Sequence, residues 1–582
     1  MREKLVMFIL MILLIFHNVQ LEIDNFEEEY NENLEILEEK IDKQKLDIFA
    51  SENNKIDYKL KKILDNNDAQ NNLIAERLLV YSEKEKLTYE EIIPPIKYGN
   101  KYLHFIDNPN VSILRELYLD PKTNYIFSDY EVNYNELIEF SNKNKLDSYE
   151  AQDIMEIEAV HEEYNIKGEG VKIGVIDSGV DFGSNDMINS AYIDDSGYLA
   201  SFDVTGTGIA TTSASLTPII SQGRTYLELE NKELDVFIWE EQRIATSNQL
   251  GIQLQNLEIT DIEHISLSDI YKVGIARQVS LVENMPTQYF IFVLVDTVEV
   301  GVYDKMYIDM ETSLAITLVQ SGLILPSGKT FIQLSEFDIT NDDAIGENNP
   351  IGAKDINGDG IFDISFGGLG NAIDLYGISN KFIVQGIDPS GEMIGMMFDS
   401  VGHGTSSASC IASDGTIEFP IFDVRITEEI ENNKTVRLKG AAPDVKIIAH
   451  KAFQLSEFII GWHWTAGHKL QEVNGQAIWV QENENLVQIS SNSWGNGAVV
   501  PDDYMKGFDP YSMLLDLYSM EGDGEILYDN YPGVIFVVSA GNGAPGFGTT
   551  ATPASAAMAI TCLLYTSPSP RDKRQSRMPS SA

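Results

Sequence analysis

Cysteine is nearly absent from this chain, which has two among 582 residues, Cys410 and Cys562. Two cysteines cannot build the disulfide framework of a small secreted scaffold, and they leave the redox compartment open. Basic residues are also scarce, because 41 Lys and Arg stand against 90 Asp and Glu, for a formal charge of -49. This charge argues against nucleic acid and anionic membrane surfaces as partners. With 43% hydrophobic residues, the chain is large enough for more than one folded unit.

The apolar run at the amino terminus, Leu5 to Phe16, is shorter than the roughly 20 residues that span a bilayer. It follows Arg2 and Lys4, as in a secretory signal peptide. We therefore expect an export signal over residues 1–20 and a secreted or extracellular protein. No small-x-small cleavage pattern follows Phe16, so the alternative is an uncleaved segment that anchors the protein at the membrane of the cell surface.

Three stretches of different texture follow. Residues 21–150 are rich in Glu, Lys, Asn and Leu, with helical periodicity in "KIDYKLKKILDNNDAQNNLIAERLL". They suit a pro-region of helical or α+β structure, and a helical surface domain is the alternative. From residue 151, "IKGEGVKIGVIDSGVDFG" predicts the first strand of a parallel α/β sheet, whose signals return after residue 397. Between about 183 and 397, period-2 runs such as "RTYLELENKELDVFIWE" predict a β-rich insert.

Three polar residues follow predicted strands or begin a helix. Asp177 ends the strand "VKIGVID", and His403 lies between glycines in "GHGTSSAS", at a predicted helix start. Asn542 follows the strand "VIFVVS" on a glycine-flanked turn. The carboxyl ends of parallel strands are where catalytic groups collect, although each of these residues alone is more often structural than catalytic.

Together the motifs resemble those of the subtilisin family of serine proteases. "VIDSGVD", "GHGTSSAS" and "VVSAGNG" look like the family's aspartate, histidine and oxyanion-asparagine motifs, in its chain order. "GAAPDVKIIAHKAF" and "SSNSWG" look like its next strand and its substrate-pairing strand. The resemblance implies a subtilisin-like α/β fold over residues 151–561, a parallel sheet flanked by helices and interrupted by the insert.

The resemblance also implies residue roles. His403 would be the general base, Asp177 would orient and stabilise its imidazole, and Asn542 would donate to the oxyanion. Main-chain contacts to a protein or peptide substrate would come from two segments: Ser493, Trp494 and Gly495, and Ser539, Ala540 and Gly541.

The implied activity is that of a serine endopeptidase. The long insert resembles those of pyrolysin-like and tripeptidyl-peptidase-like relatives, so an exopeptidase of the same family, with one end of the cleft blocked, is an alternative. A non-catalytic, calcium-stabilised surface binding protein on a protease fold is the alternative from another class.

The family's nucleophile motif, Gly-Thr-Ser-x-Ala, does not follow Asn542 in this sequence. The "GTS" that ends at Ser406 belongs to the histidine motif and precedes Asn542. The string "CLLYTSPSPRD" matches a translated transposase end and sequencing adaptor, so we expect residues 562–582 to be an artefact of library preparation. The serine is then expected beyond Thr561, and the fragment is expected to be inactive. A natural low-complexity tail is the alternative.

A separate acidic loop, "DINGDGIFD", has oxygen ligands at EF-hand-like spacing. Side-chain oxygens come from Asp355 at position 1, Asn357 at position 3, Asp359 at position 5 and Asp363 at position 9. The main-chain carbonyl of Ile361 stands at position 7. The spacing predicts a structural Ca²⁺ site. Position 12 is Phe rather than Glu, so a plain acidic turn is the alternative. By contrast, "GWHWTAGHKL" spaces two histidines five residues apart, which favours ordinary core or surface histidines over metal ligands.

Overall fold

The computed structural model describes residues 55–65, 75, 77–129, 131–132, 156–239, 242–281, 287–311, 339–340, 344–420, 435–495, 509–522, 527–541 and 550–562. Within these ranges no helix is both long and apolar enough to cross a bilayer.

An α+β unit forms the amino-terminal part of the described chain. Its antiparallel sheet has the order β2-β3-β1-β4. The strands are β1 (Arg77–Ser82), β2 (Ile96–Tyr98), β3 (Lys101–Asp107) and β4 (Thr123–Ser128), and the helices are α1 (Tyr58–Asp65) and α2 (Val111–Leu119). The predicted helical periodicity holds for α1 but is wrong at residues 77–79, because β1 is a central strand that pairs with both β3 and β4. Pairing on two sides overrides local helical preference.

One mixed sheet of 15 strands organises most of the remaining described chain. One half is parallel, in the order β18-β6-β23-β5-β26-β27-β28. These strands are β5 (Lys172–Asp177), β6 (Leu199–Asp203), β18 (Ile364–Ile373), β23 (Lys446–Lys451), β26 (Ile489–Asn492), β27 (Ile535–Ser539) and β28 (Ile560–Cys562).

The other half of the sheet is antiparallel and comes from the insert, in the order β16-β15-β14-β13-β7-β20, with β20 paired to β18. These strands are β7 (Ile209–Leu216), β13 (Tyr271–Gln278), β14 (Gln288–Val295), β15 (Lys305–Asp309), β16 (Ala344–Gly346) and β20 (Met393–Met397). Two further strands pair with β18: β17 (Ile351–Lys354) and β19 (Ile383–Gln385). The predicted β-rich insert is therefore confirmed, and its strands β6 and β18 complete the parallel half rather than forming a separate layer.

Short antiparallel ribbons lie outside the main sheet. They comprise β8 (Ile219–Ser221), β9 (Arg224–Leu227) and β12 (Leu257–Glu258); β10 (Asp235–Ile238) and β11 (Arg243–Thr246); β21 (Asp414–Pro420) and β22 (Thr435–Lys439); and β24 (His468–Val473) and β25 (Gln476–Gln481).

Helices cover both faces of the parallel half, namely α4 (His403–Ala412), α5 (Leu455–Thr465) and α6 (Pro510–Ser519). Helix α3 (Ile157–Tyr164) precedes β5, and none of its residues is buried. Alternate residues of β5 point to opposite faces, so Val175 packs with α4 whereas Ile176 packs with α5 and α6. Every residue of α5 is buried, which makes it the centre of the larger core. The predicted class, a parallel sheet flanked by helices, is confirmed.

Candidate active site

Asp177 and His403 meet at the carboxyl edge of the parallel half. Asp177 is the last residue of β5 and His403 is the first residue of α4. The Nδ1 atom of His403 lies 2.8 Å from Oδ1 and 3.1 Å from Oδ2 of Asp177. The Asp177 side chain is 1% exposed and the His403 side chain is 20% exposed. The carboxylate is thus shielded from water, while part of the imidazole reaches the surface.

Two further groups hold the Asp177 carboxylate. The main-chain N–H of Ser178 donates to Oδ1 at 2.7 Å. The hydroxyl of Ser407, one turn into α4, donates to Oδ2 at 3.4 Å. The short Ser178 bond restricts rotation of the carboxylate, whereas the long Ser407 bond adds little.

Asp399 anchors the start of α4. Its carboxylate accepts hydrogen bonds at 2.8 to 3.0 Å from three main-chain N–H groups, those of Val401, Gly402 and Thr405. The hydroxyl of Ser178 donates to Asp399 at 2.7 Å and accepts from the N–H of Gly404 at 3.0 Å. Ser178 therefore connects the end of β5 to the start of α4. Sequence analysis missed both residues, although Ser178 directly follows Asp177 and Asp399 lies four positions before His403.

Gly404 is required by close packing. A Cβ at this position would lie 2.0 Å from the carbonyl oxygen of Gly179, which is main chain and cannot move aside cheaply. The absence of a side chain lets α4 approach the turn after β5, and this approach brings His403 within hydrogen-bond distance of Asp177.

The pKa of His403 reflects two opposing effects. Burial of the ring disfavours its charged form, but the charge of Asp177 and the hydrogen bond to it favour that form, with a smaller contribution from Asp399. The net result raises the pKa of His403 above its ordinary value. A base that is stabilised when protonated is suited to take a proton during a reaction and return it later.

Asn542 lies outside the described residues. The chain approaches it along β27 and through Gly541, whose φ of 86° is in the left-handed region that favours glycine.

The two predicted substrate segments are neighbours. Ser493, Trp494 and Gly495 follow β26, and Ser539, Ala540 and Gly541 end or follow β27, which is the parallel neighbour of β26. The hydroxyl of Ser539 donates to the carbonyl oxygen of Trp494 at 3.4 Å. The Trp494 side chain belongs to the core, since it is fully buried and stacks on Phe458 with ring centroids 3.8 Å apart.

Ala551 packs between these two segments and was missed by sequence analysis. A Cβ on Gly495 would lie 2.9 Å from the Ala551 Cβ, and a Cβ on Gly541 would lie 2.8 Å from it. Three small residues thus share one confined space beside the predicted cleft. No signal in the local sequence points to this contact, because it joins three separate loops.

The acidic loop lies between β17 and β18, and its carboxylates accept hydrogen bonds from the loop itself. Asp355 accepts from the N–H groups of Gly358 and Gly360, each at 2.7 Å. Asp363 accepts at 2.8 Å from the N–H of Ile356. The Gly360 hydrogen bond is the main cause that lowers the pKa of Asp355, so this group stays ionised.

The donor chemistry of the loop fits a hard cation, because Asp355, Asn357, Asp359, Asp363 and the Ile361 carbonyl supply only oxygen. Across the described ranges, however, no group of three or more acidic, histidine or cysteine side chains converges as a metal-binding cluster.

Comparisons with known proteins identify the family of this chain. The model of the subtilase family (peptidase S8) matches residues 168–581. Pyrolysin from Pyrococcus furiosus is 27% identical over 198 residues, which are 32% of this chain and 12% of pyrolysin. The crystal structure of tripeptidyl peptidase 2 aligns with a TM-score of 0.33 and 12% identity, over 68% of this chain and 28% of that one. This chain therefore covers a small part of each relative's length. Because the family match spans most of the chain, the chain belongs to the subtilase family of serine peptidases.

Proposed function

We propose that this subtilase is an exported endopeptidase that hydrolyses protein or peptide substrates through Asp177, His403 and a serine. The observation that carries the proposal is the 2.8 Å contact between His403 Nδ1 and Asp177 Oδ1. An imidazole whose Nδ1–H is held by a carboxylate has its lone pair on Nε2, which is the tautomer that a general base needs.

In this mechanism His403 Nε2 removes the proton of the serine hydroxyl while the serine oxygen attacks the peptide carbonyl. The imidazolium that forms is stabilised by the carboxylate of Asp177. His403 then gives the proton to the leaving amine, and water releases the acyl group by the same steps. Asn542 would donate to the oxyanion, a contact whose loss in this family costs about 2.7–4 kcal/mol of barrier.

We place the nucleophile after Asn542 and beyond Thr561. Ser406 lies exposed on the first turn of α4, on the same helix turn as His403. Ser407 donates to Asp177. Both serines lie on the same helix as His403, so neither can approach the substrate carbonyl from a different element than the base. In the chain order of the family, the nucleophile follows the aspartate and the histidine.

Labelling by a serine-directed fluorophosphonate tests the triad, together with a sequencing read beyond the codon for Thr561. We expect the read to reach a Gly-Thr-Ser-x-Ala motif. We also expect the full-length protein to be labelled and its His403→Ala variant to be labelled far more slowly. If the read ends without such a serine, or if the full-length protein is never labelled, the binding-protein alternative replaces the proposal.

Residues 21–150 are proposed to be a pro-region that covers the cleft. The N–H of Val132 donates to the carbonyl oxygen of Phe453 at 2.8 Å, and Glu131 pairs with Gln454 in an antiparallel bridge. Phe453 lies two residues after Lys451, the register partner of Asp177. Segment 131–132 thus pairs with the chain shortly after the register partner of Asp177, which supports the proposal. Intact-mass analysis of the secreted active enzyme should show that these residues have been removed, and an active enzyme that retains them contradicts this assignment.

The insert reaches the same region, which is the observation that favours an exopeptidase as the second candidate. The ring of Trp239 lies 5.8 Å from that of Phe453, and the N–H of Leu281 donates to the carbonyl oxygen of Ser400 at 2.8 Å. Peptides with acetylated amino termini separate the two candidates. An endopeptidase cleaves them within the chain, whereas an enzyme that needs a free terminus does not.

Ca²⁺ at the acidic loop is proposed from the all-oxygen donor set of residues 355–363. Binding should raise the melting temperature of the protein, and the variant Asp359→Asn should weaken that effect. Asn189→Ala is the control, since its side chain donates to Asp414 outside the loop. An unchanged melting curve in Ca²⁺ and in chelator contradicts the proposal.

A further inference from the structure

A second candidate cation site lies at the opposite end of the parallel half, next to the start of β6. It is a cavity of about 10 Å³, room for roughly one water-sized sphere. Its wall includes Asp194 before β6, Asn371 in β18, and Glu484 and Asn485 before β26. It adjoins a cleft of about 340 Å³ with which it shares Asn371, Trp464 and Lys469. That cleft provides a route to the cavity.

Asn485 has a buried side-chain oxygen that accepts no hydrogen bond from any described residue. Its residue is 5% exposed, and its Nδ2 donates to two carbonyl oxygens, those of Trp464 and His468. Two acceptors on Nδ2 determine the orientation of the amide, so Oδ1 cannot be exchanged with it. Among the described residues Oδ1 of Asn485 accepts no hydrogen bond, and the same holds for Oδ1 of Asn371, a residue that is 6% exposed. Buried oxygens of this kind are normally satisfied, so these two point to an occupant.

Acidic groups surround the same cavity. Asp194 accepts three hydrogen bonds on Oδ1, from Ser196 and Tyr198. Glu484 accepts the N–H of Asp195. Asp194 and Glu484 thus place two carboxylates beside one cavity. A bound cation would offset these like charges and would give the amide oxygens a partner.

We propose that this cavity binds Ca²⁺ through Asn485 Oδ1, Asn371 Oδ1 and the carboxylates of Asp194 and Glu484, with waters in the adjoining cleft completing the shell. Amide and carboxylate oxygens are the ligands that a hard cation prefers. The ion would join the loop before β6 and strand β18 of the insert to the segment that leads into β26, at whose end lie Ser493 and Trp494. The site is separate from the loop at residues 355–363.

Lys469 is the competing occupant, because it also lines the cavity and its charge acts on Glu484. An ammonium that permanently satisfied Asn485 Oδ1 would exclude a cation. An ammonium that only lies nearby would weaken cation binding by repulsion. The two cases predict opposite behaviour of a Lys469→Met variant.

Terbium luminescence tests the proposal, since Trp464 lines the cavity and transfers excitation energy to a bound Tb³⁺. The chain carrying Asp359→Asn, which weakens the 355–363 loop, should show Tb³⁺ emission on tryptophan excitation, and Ca²⁺ should abolish it. Adding Trp464→Phe should remove most of this emission while leaving a Ca²⁺-dependent rise in melting temperature.

Adding Glu484→Gln should weaken binding roughly tenfold, because ligand charge sets affinity in such sites. Lys469→Met should strengthen binding.

Three results would overturn the inference. The first is emission that Trp464→Phe does not change, because the ion is then elsewhere. The second is binding that appears only in Lys469→Met, which makes the lysine the native occupant. The third is equal Ca²⁺ stabilisation with and without Glu484→Gln, which leaves only water in the cavity.

Discussion

His403 and His463 each place Nδ1 against an oxygen atom, and the two oxygens differ in charge. For His403 the oxygen belongs to the Asp177 carboxylate, at 2.8 Å. For His463 it is the neutral hydroxyl of Tyr518, at 2.9 Å, and the ring also stacks on His468 with centroids 3.8 Å apart. Burial, and secondarily the nearby His468, lowers the pKa of His463 well below its ordinary value, whereas the pKa of His403 is raised. Burial disfavours the charged form of both rings, and for His403 the charge of Asp177 and the hydrogen bond to it together outweigh that effect.

The two regions also differ in what they connect. His403 lies at the carboxyl edge of the sheet beside the predicted cleft. His463 lies in the seam between the core and the amino-terminal α+β unit, where Tyr518 Oη contacts Tyr98 Oη of that unit at 2.7 Å. The first histidine is partly exposed beside the predicted cleft, whereas the second is buried and contacts the tyrosine that joins two parts of the chain.

Removing the charge from the first region should have the largest effect. Asp177→Asn should lower kcat of the full-length enzyme by about four orders of magnitude, because the imidazolium loses its counter-charge and the tautomer is no longer set. The pKa of His403 should fall, which NMR titration of its ring protons would show directly. A variant with unchanged His403 titration and activity within tenfold of wild type contradicts the comparison.

Acidification should act on the second region. The pKa of His468 is lowered to about 4 by burial, opposed by its hydrogen bond to His463. As pH falls from about 6.5 towards 4, the unfolded chain therefore takes up a proton that the folded chain does not, and stability is lost by up to roughly 3 kcal/mol. His468→Phe should reduce the slope of unfolding free energy against pH in that window. Parallel slopes in urea titrations of variant and wild type argue against this effect.

A hydroxyl relay crosses the seam, in which Tyr518 Oη contacts both His463 Nδ1 and Tyr98 Oη. Its contribution to the unfolding free energy should be smaller. Tyr518→Phe leaves both Tyr98 Oη and His463 Nδ1 without their buried partner, which costs about 1–3 kcal/mol of unfolding free energy. Tyr98→Phe removes only the end of the relay and should cost less. Chemical denaturation measures both, and equal costs for the two variants contradict the relay.

Ser407→Ala should have the smallest effect on activity. The hydrogen bond from the Ser407 hydroxyl to Asp177 is 3.4 Å long, at the limit of useful hydrogen bonding, and the hydroxyl carries no charge. We expect kcat/KM of the full-length enzyme to change by less than about threefold. A loss approaching that of Asp177→Asn shows instead that orientation of the carboxylate, rather than its charge, governs His403.

Several elements were predictable because their signals are local. The strand that ends in Asp177, the helix that begins at His403 and the alternating strands of the insert each follow from periodicity and glycine placement within a short window. The motif order identified the family for the same reason. The positions of β6 and β18 were not predictable, since whether an insert strand joins the parent sheet depends on pairing with distant strands.

The two histidines near the end of α5 illustrate the limit. A spacing of five residues excludes a shared helical face, and this reasoning is correct for a continuous helix. The helix ends at Thr465, however, and Gly467, with φ of 88°, turns the chain into β24. His468 is thereby folded back onto His463. A single glycine conformation produced a contact that periodicity could not reveal.

The amino-acid sequence by itself determined the residue types that this protein brings to its chemistry, the strands and helices that carry them, and membership of the subtilase family, because these depend on short-range pattern. Only the tertiary structure decided that Asp177 and His403 touch across 226 positions and that Ser178 and Asp399 hold them. It also decided that Asn485 lines a cavity and that its Oδ1 accepts no hydrogen bond from the part of the chain that the structure describes. Those outcomes depend on packing and on the charge of neighbours brought together from distant parts of the chain.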